Sequence, residues 1–556
     1  MDISKLNSLV ELYFNRANQI DKKKIFLQWL NSNNYHKYNW EEVTEKIYKL
    51  SYKIKDYIKD GDRVLLLSEN RPEWLIADLA IMNAGGITVP IFTTYAERDY
   101  EYILKDCSPS LIILSNESQL KKITKFIYNK KIISFEKIKT SSITLEEIFN
   151  NKYDKEINNR LNRKSPACII YTSGTSGNPK GVILSHGGIL SNCEGALKLL
   201  QPLLKKKEPI FLTWLPLSHS YEHTVQMIQI LIGAKVFYAE SLEKLISNMS
   251  IARPTIMTAV PRFYQNLYSK ININFNKASG FKKILIFKTI QLGTKILKNE
   301  NIRFYEKLIN FICEKLVRKK IKMQFGGNLQ AFISGGGALD RKIGEFLNSI
   351  GLPTLQGYGL TEASPVVSCN LPNCVKVETV GPPFSTNKIK IAEDGEILIK
   401  GENVMIGYWN KEKETREMIK NNWLHTGDIG EIDSEGFLKI TDRKKDIIVN
   451  LGGDNISPSK IENLLCLNEN IKQSFVYGDK KNYLVSIIVV DKDTNEEKIK
   501  KIIENVNKSL NSTEKIKKFI MIKEEFSIEN RMLTPTLKLK RKEIVKNYKQ
   551  QLENLY

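Results

Sequence analysis

Tyr171-Thr-Ser-Gly-Thr-Ser-Gly-Asn-Pro-Lys-Gly181, continuing into Val182-Ile-Leu-Ser-His186, sets three glycines, four aliphatic hydroxyls and one lysine between two short apolar runs. Ala167–Tyr171 and Val182–Leu184 read as strands, which makes the polar segment the turn between them. Glycines let backbone N–H groups fold around an anion, hydroxyls add donors, and Lys180 adds charge. Such a turn suits a polyphosphate. It is not a Walker A loop, because no Gly-Lys-Ser/Thr follows Gly174 at the required spacing. The bland alternative is a Gly/Ser-rich linker, and the strands on both sides argue against it.

On either side of this turn, apolar runs alternate with helical stretches. Arg63–Glu69, Ile87–Phe92, Ile210–Leu215, Lys235–Tyr238, Thr255–Val260 and Leu329–Ser334 read as strands. Pro72–Asn83 and a segment after Ser218 read as helices between them. The alternation predicts an α/β fold of layered, mostly parallel sheets. After Gly381 the texture changes to hairpins. Lys388–Glu393 pairs with Glu396–Lys400 around Asp394-Gly395, and Gly430–Asp433 pairs with Phe437–Thr441. A large N-terminal domain over residues 1–441, closed by an antiparallel β subdomain, is therefore expected. A small α+β domain over residues 442–556, ending in a basic helix, follows it.

Composition limits the class without naming an activity. The 556 residues, 42% hydrophobic, can bury more than one core. Seven cysteines are dispersed without CxxC spacing, which suits a reducing, cytoplasmic compartment better than a disulfide framework or zinc site. The start, Met1-Asp-Ile-Ser-Lys-Leu6, does not read as a secretory leader, and no apolar run is long enough to span a bilayer. The formal net charge of +22 fits attraction to anionic substrates or lipid, but the joint richness in Lys, Ile and Asn also fits an AT-rich genome. Nothing resembles a nucleic-acid-binding motif.

Four further segments stand in order behind the Gly/Ser turn: Leu215-Pro-Leu-Ser-His219, Gln356-Gly-Tyr-Gly-Leu-Thr-Glu362, Thr426-Gly-Asp428 and Asp442-Arg-Lys-Lys-Asp446. A late Thr536-Leu-Lys538-Leu-Lys-Arg541 completes the set. Together they resemble the adenylate-forming (AMP-binding) superfamily, from about Trp40 to about Arg541. Within it the chain is most similar to long-chain fatty acyl-CoA synthetases. Such enzymes join a carboxylate to ATP as an acyl-adenylate with loss of pyrophosphate, and a thiol then displaces AMP.

The resemblance implies a role for each matching position. Thr172, Ser173, Gly174, Thr175 and Lys180 would wrap the ATP phosphates, with Thr361 at the α-phosphate and Glu362 on Mg²⁺, a hard cation that prefers oxygen ligands. Gly336, Gly337, Tyr358 and Gly359 would form the adenine slot, although the triple glycine of Ser334-Gly-Gly-Gly-Ala338 alone reads equally as a plain βα turn. Asp428 would accept from the ribose hydroxyls, with Arg443 nearby. His219 would line the acyl site. Lys538 would bridge carboxylate and α-phosphate. Family members usually carry glycine just before this lysine, where this chain has Leu537, so Lys540 stays as a weaker candidate. Asp442 would be the hinge about which the small domain turns between half-reactions, bringing Gly452 and Gly453 to the CoA path. The alternative reading of Gly452-Gly453 is a surface turn. Four of the five histidines (His186, His219, His223 and His425) fall in or beside these motifs.

One region stands apart. Residues 281–323 carry twelve Lys/Arg against three Glu, with apolar residues at helical spacing. A basic helical insertion of this kind can lie on an anionic bilayer, or pack on the main domain with a solvated basic face. The resemblance implies a ligase using ATP, Mg²⁺ and CoA on a long-chain fatty acid. Acyl carrier protein in place of CoA is one alternative acceptor, and a catalytically silent peripheral membrane scaffold is an alternative of another class.

Overall fold

A computed structural model describes residues 1–31, 34–140, 142–172, 178–205, 207–491, 494–534 and 537–556. Two eight-stranded sheets dominate. In one, the strands run in the order Val366–Cys369, Thr354–Gly359, Ala331–Ser334, Ile256–Ala259, Ile210–Thr213, Lys235–Tyr238, Ile25–Asn31 and Asn34–Asn39, parallel except at its two ends. In the other, Gly407–Tyr408, Lys180–Ser185 and Pro166–Thr172 form an antiparallel edge on five parallel strands that begin with Ile87–Pro90 and Arg63–Leu67.

The helix between the sheets shows why the layers hold together. Eleven of the twelve residues of Pro72–Asn83 are buried, all but Glu73, so this helix is covered on nearly every face, as an element packed between layers must be. Proline at its first position costs nothing, because that N–H has no intrahelical partner. Ser220–Ile232 is also almost wholly buried, yet it carries Glu222, His223, Gln226 and Gln229 inward. Those polar groups need partners, and the core supplies them. Tyr238 donates to Gln226 Oε1 at 2.8 Å, Gln226 to Gln229 Oε1 at 2.6 Å, and Thr258 to Glu222 Oε2 at 2.7 Å.

A five-stranded antiparallel sheet follows, built from the hairpin Asn387–Ile391/Glu396–Gly401 and the pair Trp423–Ile432/Leu438–Arg443, with Ile419–Lys420 at its edge. Beyond Arg443 come a two-stranded hairpin, Ile448–Val449/Asn455–Ile456, and a three-stranded sheet of Ile471–Tyr477, Leu484–Val490 and Ile516–Ile522. The helix Arg541–Glu553 packs on that sheet through Ile544 and Leu552. All seven cysteines are free. No helix among the described residues is long and apolar enough to cross a membrane.

Candidate functional site

The site forms where the ends of three sheets meet. Thr172 and Lys180 close the strand pair that brackets the Gly/Ser turn and face each other in register. Ser173, Gly174 and Thr175 lie outside the described residues. The two-residue strand Gly407–Tyr408 pairs with Val182 and Ile183 and so brings Tyr408 beside the turn. The Lys180 ammonium sits 4.9 Å from the centre of the Tyr408 ring, and the Tyr408 hydroxyl donates to Glu362 Oε1 at 2.8 Å. Nothing in the periodicity of the sequence announces Tyr408, because a two-residue strand has no period.

Glu362 lies in the single turn Thr361–Ala363. Its backbone carbonyl accepts from Met405 N–H at 2.9 Å, and Thr361 Oγ1 lies 3.0 Å from Ser220 Oγ. Among the described residues the Glu362 carboxylate is bonded by Tyr408 at Oε1, leaving Oε2 to face the site. That suits Mg²⁺, which keeps several waters and takes the rest of its oxygens from one or two carboxylates and phosphate. Among the described residues no three His, Cys, Asp or Glu side chains converge as an all-protein metal cage.

Gly336 and Gly337 follow the strand Ala331–Ser334 and pass Val260 and Pro261. Gly335, not singled out in the sequence, is the tightest of the three: a β-carbon there would lie 2.8 Å from the Tyr221 ring. Gly359 is tighter still, since a β-carbon would stand 2.0 Å from the Pro365 carbonyl oxygen. Across from them, the Tyr358 hydroxyl donates to Asp428 Oδ2 at 2.6 Å, and Arg443 Nε donates to Asp428 Oδ1 at 3.1 Å. Asp428 and Arg443 are direct cross-strand partners, so the strand register sets their pairing. Each Asp428 oxygen retains a lone pair for a further donor.

Lys538 arrives from the far end of the chain. Thr534 pins its turn: Lys538 N–H donates to Thr534 Oγ1 at 3.0 Å, and Leu537 N–H to the Thr534 carbonyl at 2.8 Å. Leu537, in the place where family members carry glycine, adopts φ +61°, the left-handed region that costs an L-residue about 1 kcal/mol or more. The glycine-like conformation is kept without the glycine. The Lys538 side chain keeps solvent contact, but protein atoms wall it closely. That enclosure first and the Arg443 charge second bring its pKa down to about 8, against the opposing carboxylates of Asp428, Glu362 and Asp446. Lys540 instead lies near Asp99 and Arg98, away from this cluster.

His219 caps the helix Ser220–Ile232, its Nδ1 accepting from Tyr221 N–H at 3.1 Å. Burial and then the Lys538 charge lower its pKa to about 4, so the ring is neutral at physiological pH. The other histidines near the motifs serve the core or the subdomain. His186 accepts from Leu9 N–H at 3.3 Å, and His425 lies 3.4 Å from Glu396. His223 is fully buried, 2.8 Å from Asp78 Oδ2 and 3.8 Å from Cys168 Sγ. Asp442 sits in the strand Leu438–Arg443 and accepts from Arg443 N–H at 2.6 Å. Gly452 and Gly453 form the tip of the hairpin Ile448–Val449/Asn455–Ile456.

The buried polar groups of Ser220–Ile232 give the fold a pH dependence. Burial alone would lower the His223 pKa, but the Asp78 carboxylate outweighs it and holds the proton well above the ordinary histidine range. Burial raises Glu222 to about 7, against the opposing hydrogen bond from Thr258. Both folded values lie above the unfolded ones. Their stabilising contribution is therefore present at low pH and lost as pH rises, from about 4.5 to 7 for Glu222 and from about 6.5 upward for His223. The thermal midpoint is expected to be higher at pH 6 than at pH 9, with His223→Gln flattening the dependence. A midpoint independent of pH would contradict this.

Comparison with known proteins covers almost the whole chain. The family model described as AMP-binding enzyme matches residues 14–409, and that of the AMP-binding enzyme C-terminal domain matches 445–556. The chain belongs to the AMP-binding enzyme family. Similar curated members of this family include long-chain-fatty-acid–CoA ligase FadD15 of Mycobacterium bovis, 29% identical over 532 residues, covering 90% of this chain and 88% of that one. Long-chain-fatty-acid–CoA ligase 5 of Rattus norvegicus is 31% identical over 567 residues, covering 90% and 81%. Among solved structures, ATP-bound MatB from Rhodopseudomonas palustris superposes with a TM-score of 0.76 at 20% identity, over 98% of this chain and 100% of that one. At that identity the likeness speaks for the fold of this AMP-binding enzyme alone.

Proposed function

We propose that this AMP-binding enzyme is a long-chain fatty acid:CoA ligase. It would convert a fatty acid and ATP to acyl-AMP and pyrophosphate, then form the CoA thioester with release of AMP. One observation carries the reading: a cation from the last stretch of the chain, Lys538, stands among Asp428, Glu362, Arg443 and His219, five groups drawn from five separate motifs. The names of the relatives supply the substrate class. The dispersed free thiols support a cytoplasmic setting.

Each group then has a task. Asp428, held by Tyr358 and Arg443, accepts from the ribose hydroxyls and orients the nucleotide. The glycines at 335–337 and the Tyr358 ring leave a slot for adenine. Thr172, Lys180 and the intervening turn, with Ser173, Gly174 and Thr175, would hold the β- and γ-phosphates, while Thr361 would meet the α-phosphate. Glu362, oriented by Tyr408, would hold Mg²⁺, whose charge would offset that of the phosphates. Lys538 places an ammonium where negative charge grows as carboxylate oxygen attacks phosphorus. Neutral His219 offers a ring nitrogen beside the carboxylate without competing for its charge. The small domain over residues 442–556 would then turn about Asp442, withdrawing Lys538 and bringing Gly452 and Gly453 to the thiol.

Tyr408→Phe tests the metal assignment. Loss of the hydroxyl frees the Glu362 carboxylate, and the Mg²⁺ concentration for half-maximal rate should rise about tenfold. An unchanged Mg²⁺ dependence would remove Tyr408 from this role. The function itself is tested with ATP, Mg²⁺ and palmitate, alone, with CoA, or with acyl carrier protein. Palmitoyl-CoA and AMP are expected. Product only with the carrier protein would move the acceptor, and no AMP with acids of any chain length would leave only the fold.

A further inference from the structure

The helices Gly280–Leu297 and Phe304–Cys313 pack antiparallel. At one end Lys295 Nζ meets Glu306 at 2.7 Å, and at the other Cys313 Sγ lies 3.9 Å from the Leu285 carbonyl. The pair is firmly rooted. Gly293 lies against the Ser349 backbone, so closely that a β-carbon would stand 2.2 Å from the carbonyl oxygen. The buried Arg318 guanidinium donates to the carbonyls of Ser349 and Thr289 at 2.9 and 3.0 Å and to Asn310 Oδ1 at 2.8 Å.

What the rooted pair turns outward is the wrong way round for a surface helix. Phe304, Leu308, Phe311 and Ile312 recur at i, i+4, i+7 and i+8, the stripe that normally faces a core. Here they are 79%, 58%, 58% and 43% exposed, while Glu306 and Cys313 are buried. On the first helix Ile284 and Phe287 point away from the buried Ile286, Thr289 and Gly293 and are also exposed. Large exposed apolar clusters of this kind mark a surface that meets a partner.

The surrounding charge selects the partner. Residues 281–323 hold twelve Lys/Arg against three Glu. Lys282, Lys283, Lys307, Lys319 and Lys320 are exposed, with no ion pair among the described residues. A second copy on this face would set two such excesses against each other, which opposes association. An anionic bilayer satisfies both features at once, since apolar side chains enter the headgroup–acyl boundary while lysines meet lipid phosphates. Between the helices lies a cleft of about 880 Å³ whose lining includes Lys288, Lys295, Arg303 and Glu306, with Lys295 already paired to Glu306, so the exposed lysines outside it are the ones left to meet lipid phosphate.

We propose that this helix pair is a docking surface for an anionic membrane, with Phe304, Leu308, Phe311 and Ile312 as the inserting edge. The test is co-sedimentation of the full chain with vesicles of phosphatidylcholine alone, or of equal parts phosphatidylcholine and phosphatidylserine. Binding to the mixed vesicles is expected, at least about tenfold tighter than to neutral ones and weakened by salt. Leu308→Glu with Phe311→Glu should weaken it about tenfold or more, and Lys282→Glu with Lys283→Glu should erase the preference for the anionic lipid. Because these positions are exposed, an unchanged melting curve separates the loss from unfolding. No binding to either vesicle, equal binding to both, or a dimer in solution that the Leu308/Phe311 variant dissolves would each overturn the proposal. Palmitate activation is measured without vesicles, so failure here leaves the ligase reading untouched.

Discussion

Lys538→Ala is expected to lower kcat/KM for adenylate formation by about a hundredfold to a thousandfold, the range seen when one preorganised donor is removed from a developing oxyanion. Thioester formation from supplied acyl-AMP and CoA should stay close to wild type, because phosphorus is no longer under attack in that step. Pyrophosphate release reads the first half-reaction and acyl-CoA the second. Equal loss in both would mean that Lys538 holds the fold and not the transition state. Lys540→Ala is the matched control. Its ammonium faces Asp99 and Arg98, so both half-reactions should survive. The Lys538 pKa of about 8 adds a second signature. The ammonium is the working form, so kcat/KM should decline with a single proton loss as pH rises past about 8, and a flat profile to pH 9.5 or so would count against it.

Much of the architecture is legible in the sequence, and the failures have physical causes. Lys235–Tyr238 and Pro72–Asn83 match the sequence reading residue for residue, the helix because proline starts it and Gly85-Gly86 stops it soon after Asn83. The hairpin Asn387–Ile391/Glu396–Gly401 is announced by Asp394-Gly395. By contrast, Gly407–Tyr408 carries no local signal. It becomes a strand only because Val182 and Ile183, far upstream, offer it an edge, and with it comes the group that holds Glu362. The strands Ile25–Asn31 and Asn34–Asn39 are missed as well: they pair with each other, and Ile25–Asn31 joins the sheet through Lys235–Tyr238, a partner that only tertiary structure supplies.

Histidine marks the other limit. In the sequence His186, His219 and His223 look alike, each beside a motif. Burial separates them, since His186 and His223 satisfy core partners while His219 faces Lys538. No pattern along one chain records which side of a helix meets solvent once both sides are covered. The Lys538 turn shows the opposite case. Leu537 departs from the expected glycine, but the conformation that glycine favours is present, because Thr534 bonds hold it from both strands of the turn.

Asp442→Pro is expected to split the reaction the other way. The proposed rotation of the segment that follows requires φ and ψ at Asp442 to change, and proline fixes φ near −65°. Asp442 stands just before the turn in which Asp446 and Ile447 N–H both donate to the Arg443 carbonyl, at 2.9 and 3.1 Å. Its own setting favours departure. Its carboxylate is partly buried, and burial raises the pKa while Ser457 and Arg541, both beyond the turn, only partly compensate. A buried carboxylate costs free energy that exposure would return, so the proposed turn about Asp442 would recover part of that cost. In Asp442→Pro, pyrophosphate release with ATP and palmitate should remain near wild type, while acyl-CoA formation falls about a hundredfold or more as the thiol is left out of position. The first measurement guards the second, because Arg443, one residue along, pairs with Asp428 at the nucleotide. If both rates fall together, the proline has disturbed that pair and Asp442→Ala is the variant to read. If acyl-CoA forms at the wild-type rate, the chain does not turn at Asp442.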